Sequence, residues 1–173
     1  MLSWYALHIR HNCEQLVSTA LAGRCETFWP HRETKASVGR QRGQHRIVRR
    51  AWFPGYMFVR CDWDRPDHRA MVLGDSHVLG VMGAGAIAIP DGEIESLQTL
   101  MSAKADVILH HVVKLGDKVR VVRGPLAGVE GVLSRFAGQS MLVVQVELLG
   151  RAVATHIPEY AVETLARAPR MAA

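Results

Sequence analysis

Residues that could bind a metal or act as nucleophiles are scattered along this sequence. His8, His11 and Cys13 are close enough in sequence to crowd a metal ion, but His8 falls in a predicted strand, where a structural role is favoured. The neighbouring His110 and His111 cannot both face one metal from a regular strand, because successive strand residues point to opposite faces. We therefore predict no metal site.

Catalytic motifs give the same result. The glycine-rich stretch Gly83–Ala88 resembles a dinucleotide-binding loop, but such a loop must open a long helix, and Pro90 follows too soon. The cysteines form no CxxC motif and no serine sits in a nucleophile elbow. We predict no catalytic residue and no cofactor, and a binding protein rather than an enzyme. A deep pocket with perturbed ionisable groups would favour the enzyme alternative.

Composition sets broad limits. The chain has 173 residues, enough for one or two domains, and its net charge of +5 suits a polyanionic partner. Three widely spaced cysteines predict reduced thiols and an intracellular protein. The sequence has no apolar run of the roughly 20 residues that span a membrane and no signal peptide, so we expect a cytoplasmic protein without membrane contact.

The stretch Ala51–Arg60, with sequence AWFPGYMFVR, dominates the first half of the chain. Its second half predicts a strand, in which Tyr56 and Phe58 share one face while Met57 and Val59 share the other. Both faces are apolar. Either the strand is buried on both sides, or one face is core and the other docks a partner protein.

The segment 31–50 is basic, with seven arginines and lysines against one acid. We interpret residues 37–45 as a flexible loop between two strands. The segment either contacts nucleic-acid phosphates or is a solvated hairpin tip.

The remaining pattern predicts the order of elements. A strand at 4–9 precedes a helix capped by Asn12, with Leu16 on its apolar face, and a strand follows at 26–30. After the aromatic strand come a helix at 67–73, a strand at 78–82 and a helix capped by Asp91. The last helix carries an apolar stripe that favours core packing.

The second half of the chain has a different sequence pattern. Residues 104–113 resemble a linker, and short strands with glycine-rich turns over 114–165 are typical of a small β-barrel. The tail, 166–173, is expected to be disordered. We therefore predict an α+β protein with an antiparallel sheet flanked by helices over residues 1–103, followed by the barrel.

Three segments resemble the NusG-type transcription elongation factors, including their specialised RfaH-like paralogues. They are Trp4-Tyr5, the segment FPGYMFV at 53–59 after the basic segment, and GDKVRV at 116–121 followed by GPLAGVEGV at 124–132, which is similar to a KOW motif. The resemblance covers residues 3–165. It implies an NGN domain, a linker and a KOW domain folded as an SH3-like barrel, acting as a monomer.

The resemblance also implies partners. The NGN domain would bind the β′ clamp helices of RNA polymerase and suppress pausing and termination, while the start of the second helix would contact the β gate loop. By position, the polymerase-binding residues are Phe53, Pro54, Tyr56, Phe58, His68 and Arg69. His68-Arg69-Ala70 keeps only the histidine of the paralogue motif His-Thr-Thr.

Nucleic acid and a KOW partner complete the implied set. The residues matched to non-template or upstream DNA are Arg10, His11, Arg40, Arg42 and Arg46. Leu126 and Ala127 match the loop that recruits a small-subunit ribosomal protein or the termination factor Rho. Valine-rich segments at 129–133 and 141–149 favour a stable barrel over refolding to helices.

The alternative function is a nucleic-acid-binding or ribosome-binding KOW protein that does not bind polymerase. Within the family, a housekeeping factor and an operon-specific or phage-specific antiterminator both remain open. The arginine-rich segment and the altered gate-loop motif favour the specialised type.

Overall fold

A computed structural model describes residues 1–37, 45–111, 116–136 and 138–166. The chain divides into two compact units, residues 1–81 and residues 82–173. Within the described ranges three helices accompany twelve strands, and every strand pairing is antiparallel. These features confirm the predicted α+β class.

The first unit contains a four-stranded sheet, a two-stranded ribbon and two helices within its described residues. The bounds are β1 Ser3–Ile9, α1 Glu14–Leu21, β2 Glu26–Phe28, β3 His31–Ser37, β4 His45–Ala51, β5 Tyr56–Cys61, α2 Pro66–Leu73 and β6 Val78–Val81. The sheet order is β2-β5-β1-β6, so the predicted aromatic strand is an inner strand. Among the strands that the structure describes, β3 and β4 pair only with each other, and they form the ribbon.

The described residues of the second unit form one α-helix and a six-stranded sheet. The bounds are α3 Asp91–Ser102, β7 Val107–His111, β8 Asp117–Val121, β9 Glu130–Phe136, β10 Gln139–Val146, β11 Arg151–His156 and β12 Val162–Ala166. The sheet order is β12-β8-β9-β10-β11-β7. Short 3-10 turns at Glu147–Leu149 and Glu159–Ala161 connect its last strands.

The inner strand β5 is apolar on both faces, and both faces are covered at its middle. Met57, Phe58 and Val59 are fully buried, although neighbouring residues of a strand point to opposite sides. Tyr56, at the start of the strand, is half-buried. The first of the two sequence interpretations, burial on both sides, therefore describes the middle of β5.

Helix α1 differs from its predicted start. Asn12 adopts a left-handed backbone conformation with φ of 61° and precedes the helix, which begins at Glu14 without a side-chain cap. The buried positions are Glu14, Val17 and Leu21, which lie three and four residues apart on one face. Leu16 falls on the opposite face and is exposed, so its predicted place on the apolar face is wrong.

Helix α3 carries the predicted apolar stripe. Ile94, Leu97 and Leu100 are fully buried, which confirms the expected core role. Asp91 is the first helical residue rather than the cap, since Pro90 occupies the cap position. Within the second unit the helix also hydrogen-bonds the sheet, because the Glu130 N–H donates to the Ser96 hydroxyl at 3.4 Å.

The segment expected to be a linker contains regular structure. Residues 107–111 form β7, which pairs with β11 at the edge of the second sheet. Burial of Val107 and pairing with a distant strand stabilise an element that local periodicity did not indicate. The domain limits at 103 and 114 stay a prediction. Residues 167–173 of the expected disordered tail lie outside the described residues.

Gly131 marks a close backbone approach between β9 and β10. A Cβ atom at this position would lie 2.5 Å from the Val143 carbonyl oxygen and 3.0 Å from Leu142 Cδ1. Val143 belongs to a buried cluster with Met141, Ala152 and Ala154, so the backbone has little room to retreat.

We expect Gly131→Ala to lower the free energy of unfolding by about 1–3 kcal/mol, because the added methyl group overpacks the sheet. Urea unfolding followed by circular dichroism measures this. Gly92→Ala is the matched control, since nothing lies within 4 Å of a Cβ there and the residue is helical. Equal unfolding midpoints for the two variants would contradict the predicted overpacking.

Candidate interaction surfaces

The turn before β5 is fixed by the backbone. Residues Phe53 to Tyr56 form a tight turn in which the Tyr56 N–H donates to the Phe53 carbonyl at 3.0 Å. Pro54 occupies the second position, where its fixed φ is favourable, and Gly55 the third, with φ of +82°. Only glycine adopts that conformation without strain. The Pro-Gly pair therefore sets where β5 starts.

Glu14 holds this turn from helix α1. Its side-chain oxygen Oε1 accepts a hydrogen bond from the Gly55 N–H at 2.9 Å, and its side chain is almost fully buried. On the other side of the turn the Ile9 N–H donates to the Gly55 carbonyl, also at 2.9 Å. Helix α1, strand β1 and strand β5 thus meet at one glycine.

Tyr56 is the accessible aromatic residue of this region. It pairs across the sheet with His8, and the two rings stack with centroids 5.3 Å apart. His8 is exposed and Tyr56 is half-buried. The pair forms a partly accessible aromatic surface where β5 begins, with the half-buried Pro54 nearby in sequence.

Phe53 and Phe58 lie in the core. Both are fully buried, and their rings meet edge to face at 6.4 Å. Phe28 stacks on Phe58 from the neighbouring strand at 6.1 Å. In this structure Phe53 and Phe58 therefore present no surface to a partner, unlike Tyr56 and Pro54, although all four were predicted to bind polymerase.

His68 and Arg69 stabilise the turn that leads into α2. The Asp62 N–H donates to His68 Nδ1 at 3.1 Å, and an Arg69 guanidinium nitrogen donates to the Trp63 carbonyl at 2.8 Å. Both side chains are half-buried. Hydrogen bonds within the chain thus fix the positions of these two side chains at the start of the helix.

Arg10 and His11 are exposed in the turn after β1. The Arg10 N–H donates to the His77 carbonyl at 2.8 Å, which fixes this turn beside the loop before β6. In that loop the His77 N–H and ring bind the Asp75 carboxylate and hold its pKa below the usual value. The Asp75 carboxylate is therefore directed to His77.

The ribbon of β3 and β4 carries the basic segment. Arg46 is exposed near the described end of β4. Arg40 and Arg42, predicted to contact nucleic acid, lie outside the described residues. Two further exposed arginines, Arg32 and Arg50, stand opposite each other in the ribbon, and sequence analysis did not single them out because register is needed to see their pairing.

In the second unit, the predicted KOW loop lies between β8 and β9. Leu126 is buried, whereas Ala127 is exposed. The loop closes through hydrogen bonds from the Ala127 N–H to the Gly124 carbonyl and from the Gly128 N–H to the Val121 carbonyl. Leu126 thus anchors the loop, and Ala127 lies at its surface.

Burial disfavours the reactive thiolate form of Cys61. All three cysteines are free, and burial raises the pKa of Cys61 to about 11, with smaller contributions from Cys25 and Asp62. Within the described ranges no group of three or more potential ligands could hold a metal ion. No helix in the described part of the chain is both long and apolar enough to cross a membrane.

Comparison with known proteins identifies the family. A family model described as "Transcription termination factor nusG" matches residues 2–98, more than half of the chain. The NusG protein of Deinococcus radiodurans is 29% identical over 175 residues, covering 87% of this chain and 92% of the relative. The NusG protein of Treponema pallidum is 31% identical over 134 residues, covering 71% of this chain and 72% of the relative.

A solved structure agrees in fold. The structure titled "Domain interaction in Thermotoga maritima NusG" superposes with a TM-score of 0.57 at 19% identity, covering 95% of this chain and 98% of that chain. The two-unit α+β fold is thus that of a NusG-type transcription factor. The chain belongs to the NusG family, which confirms the resemblance identified from the sequence.

The contact between Glu14 and Gly55 gives a test of the turn. We expect Glu14→Ala to lower the free energy of unfolding by about 1–3 kcal/mol, because it leaves a buried N–H without an acceptor. Glu14→Gln retains an acceptor oxygen and should lose less, since only the charge assistance is removed. Urea unfolding measures both. The exposed neighbour Gln15→Ala is the control, and an equal loss in Gln15→Ala would contradict the assigned role.

Proposed function

We propose that this chain is a transcription elongation factor that binds RNA polymerase through its N-terminal unit and suppresses pausing and termination. The observation that carries the proposal is the Tyr56–His8 aromatic surface of a chain in the NusG family. Relatives named "Transcription termination/antitermination protein NusG" support it. The docking site would be the β′ clamp helices, and tyrosine is enriched among the residues that dominate protein interfaces.

The mechanism requires no covalent chemistry. A factor that binds the closed polymerase clamp more tightly than the open one shifts the population toward the closed state by that difference in affinity. Pausing that needs clamp movement would then become rarer. The proposed second contact is the β gate loop, at the start of α2, where hydrogen bonds within the chain hold His68 and Arg69 in place.

Two further partners belong to the proposal. The exposed turn of Arg10 and His11 and the ribbon arginine Arg46 would contact non-template or upstream DNA, together with Arg40 and Arg42. The loop with exposed Ala127, anchored by Leu126, would recruit a small-subunit ribosomal protein or Rho. The factor would act as a cytoplasmic monomer with an NGN domain at 1–103, a linker at 104–113 and a KOW domain at 114–165.

The second candidate is a nucleic-acid-binding or ribosome-binding protein of the same fold that does not bind polymerase. The basic ribbon favours it, because phosphate binding needs only exposed positive charge. Direct measurement of polymerase binding separates the two candidates.

We expect Tyr56→Ala to weaken binding to core RNA polymerase about tenfold or more, which corresponds to at least ~1.4 kcal/mol. Biolayer interferometry with immobilised polymerase measures the dissociation constant. Tyr160→Ala is the matched control, because it removes the same side chain from a site 74% exposed in the second unit. Phe58→Ala is unsuitable, since truncating a buried Phe costs about 3–5 kcal/mol of stability.

Folding of the variants is checked by circular dichroism. If Tyr56→Ala and Tyr160→Ala bind as wild type does, the aromatic surface is not the polymerase site. If wild type itself does not bind, the second candidate replaces the first.

A further inference from the structure

The positive charge of this chain is concentrated in the segment 31–51, which contains the two strands of the ribbon. Residues 31–51 hold seven of the 21 arginines and lysines and one of the 16 acids. The rest of the chain has fourteen basic and fifteen acidic residues and is close to neutral. The positive electrostatic potential of the protein therefore comes mainly from this segment, and an anionic partner would be attracted to it first.

The two faces of the ribbon differ in chemistry. Register pairs Arg32 with Arg50 and Ala36 with Arg46, and residues two apart along a strand share a face. Arg32, Arg46 and Arg50 thus lie on one side, which we name the arginine face. The cross-strand pairs in between, Glu33 with Arg49 and Lys35 with Ile47, point to the opposite face.

Ion pairing follows the same division. On the opposite face, Arg49 Nε donates to Glu33 Oε1 at 3.2 Å, so one positive charge is compensated. No ion pair to Arg32, Arg46 or Arg50 occurs within the described part of the chain. All three side chains are exposed and able to meet a partner.

Without a bound anion, charge repulsion on the arginine face destabilises the pairing of β3 with β4. Arg32 and Arg50 occupy directly opposed positions of an antiparallel pair, where like charges destabilise the pairing. A phosphate between them would remove the repulsion, because a guanidinium group binds phosphate oxygens through two parallel N–H donors. Arg46 lies about 13 Å further along the ribbon, four residues at the usual rise per residue, which is far enough to reach another phosphate of the same backbone.

We propose that the arginine face binds the phosphodiester backbone of nucleic acid, independently of base sequence, with Arg32 and Arg50 as the central contacts. This refines the nucleic-acid contact of the proposed function by adding two residues and excluding the opposite face. A two-stranded β-ribbon also has dimensions that a DNA groove admits. The contact needs no polymerase, so the full chain alone should show it.

The test compares two variants that each lose two positive charges from the same ribbon. The first is Arg32→Ser with Arg50→Ser on the arginine face, and the second is Lys35→Ser with Arg49→Ser on the opposite face. Fluorescence anisotropy measures binding of the full-length variants to a labelled DNA duplex and to a labelled single strand, both of random sequence. A third variant, Arg32→Lys with Arg50→Lys, keeps the charge and removes the guanidinium geometry. Circular dichroism confirms that each variant folds.

We expect the arginine-face variant to bind about tenfold or more weakly and the opposite-face variant to change affinity less than about threefold. The plot of log affinity against log salt, from about 50 to about 200 mM, should become shallower by about two for the first variant. The lysine variant should retain the salt dependence of wild type and lose part of the affinity. The duplex and the single strand present the same phosphodiester backbone in two forms, and binding to either one supports the proposal.

Equal losses in the two serine variants would overturn the proposal, because net charge rather than one face would then govern binding. Absence of binding by wild type at low salt would overturn it as well and leave an acidic protein surface as the occupant of the ribbon. Tyr56→Ala should bind DNA as wild type does. A failure of the polymerase-binding proposal is therefore distinguishable from a failure of this one.

Discussion

The hydrogen bond from the Gly55 N–H to the Glu14 carboxylate is the constraint on which the first unit depends. It is buried, and the same glycine uses a left-handed conformation and accepts a hydrogen bond from the Ile9 N–H at its carbonyl oxygen. Three elements are thereby tied to one residue at the start of β5. Because β-strand side chains alternate, a slip of one residue at this point would exchange Tyr56 and Phe58 with Met57 and Val59. The identity of the accessible aromatic residue is a consequence of this contact.

Register also explains why one aromatic side chain of β5 is accessible and another is not. Phe58 stands opposite Ala6 in the middle of the sheet, between Phe28 and Phe53, and is fully enclosed. Tyr56 lies two residues nearer the turn, where its cross-strand neighbour is the exposed His8. Tyrosine suits such a boundary, since its ring is apolar and its hydroxyl group is polar. A partner that docked here would gain aromatic contact area without disturbing the core.

Strands with strong local signals were predictable from sequence, and elements that depend on distant contacts were not. The valine-rich and aromatic runs gave β1, β5, β9 and β10 close to their observed bounds. Strand β7 was missed because its pairing with β11 is non-local. Gln15, three residues after Asn12, suggested Asn12 as a cap. The role of the buried Glu14 was hidden from such reasoning, since its partner Gly55 is 41 residues away. The arginine face was equally hidden, because composition counts charges and only register assigns them to a side.

The Tyr56–His8 aromatic surface and the arginine face would bind partners through different interactions. Salt should therefore change the affinity of one much more than that of the other. Stacked aromatic rings act through desolvation and packing, which ionic strength affects little. Exposed arginines act through displacement of counterions, and their affinity falls steeply as salt rises. At low salt the ribbon would accelerate encounter with a nucleic-acid complex, whereas the aromatic surface would set how long the protein stays bound. The two surfaces lie on different parts of the first unit, since the arginine face belongs to the ribbon and Tyr56 to the four-stranded sheet.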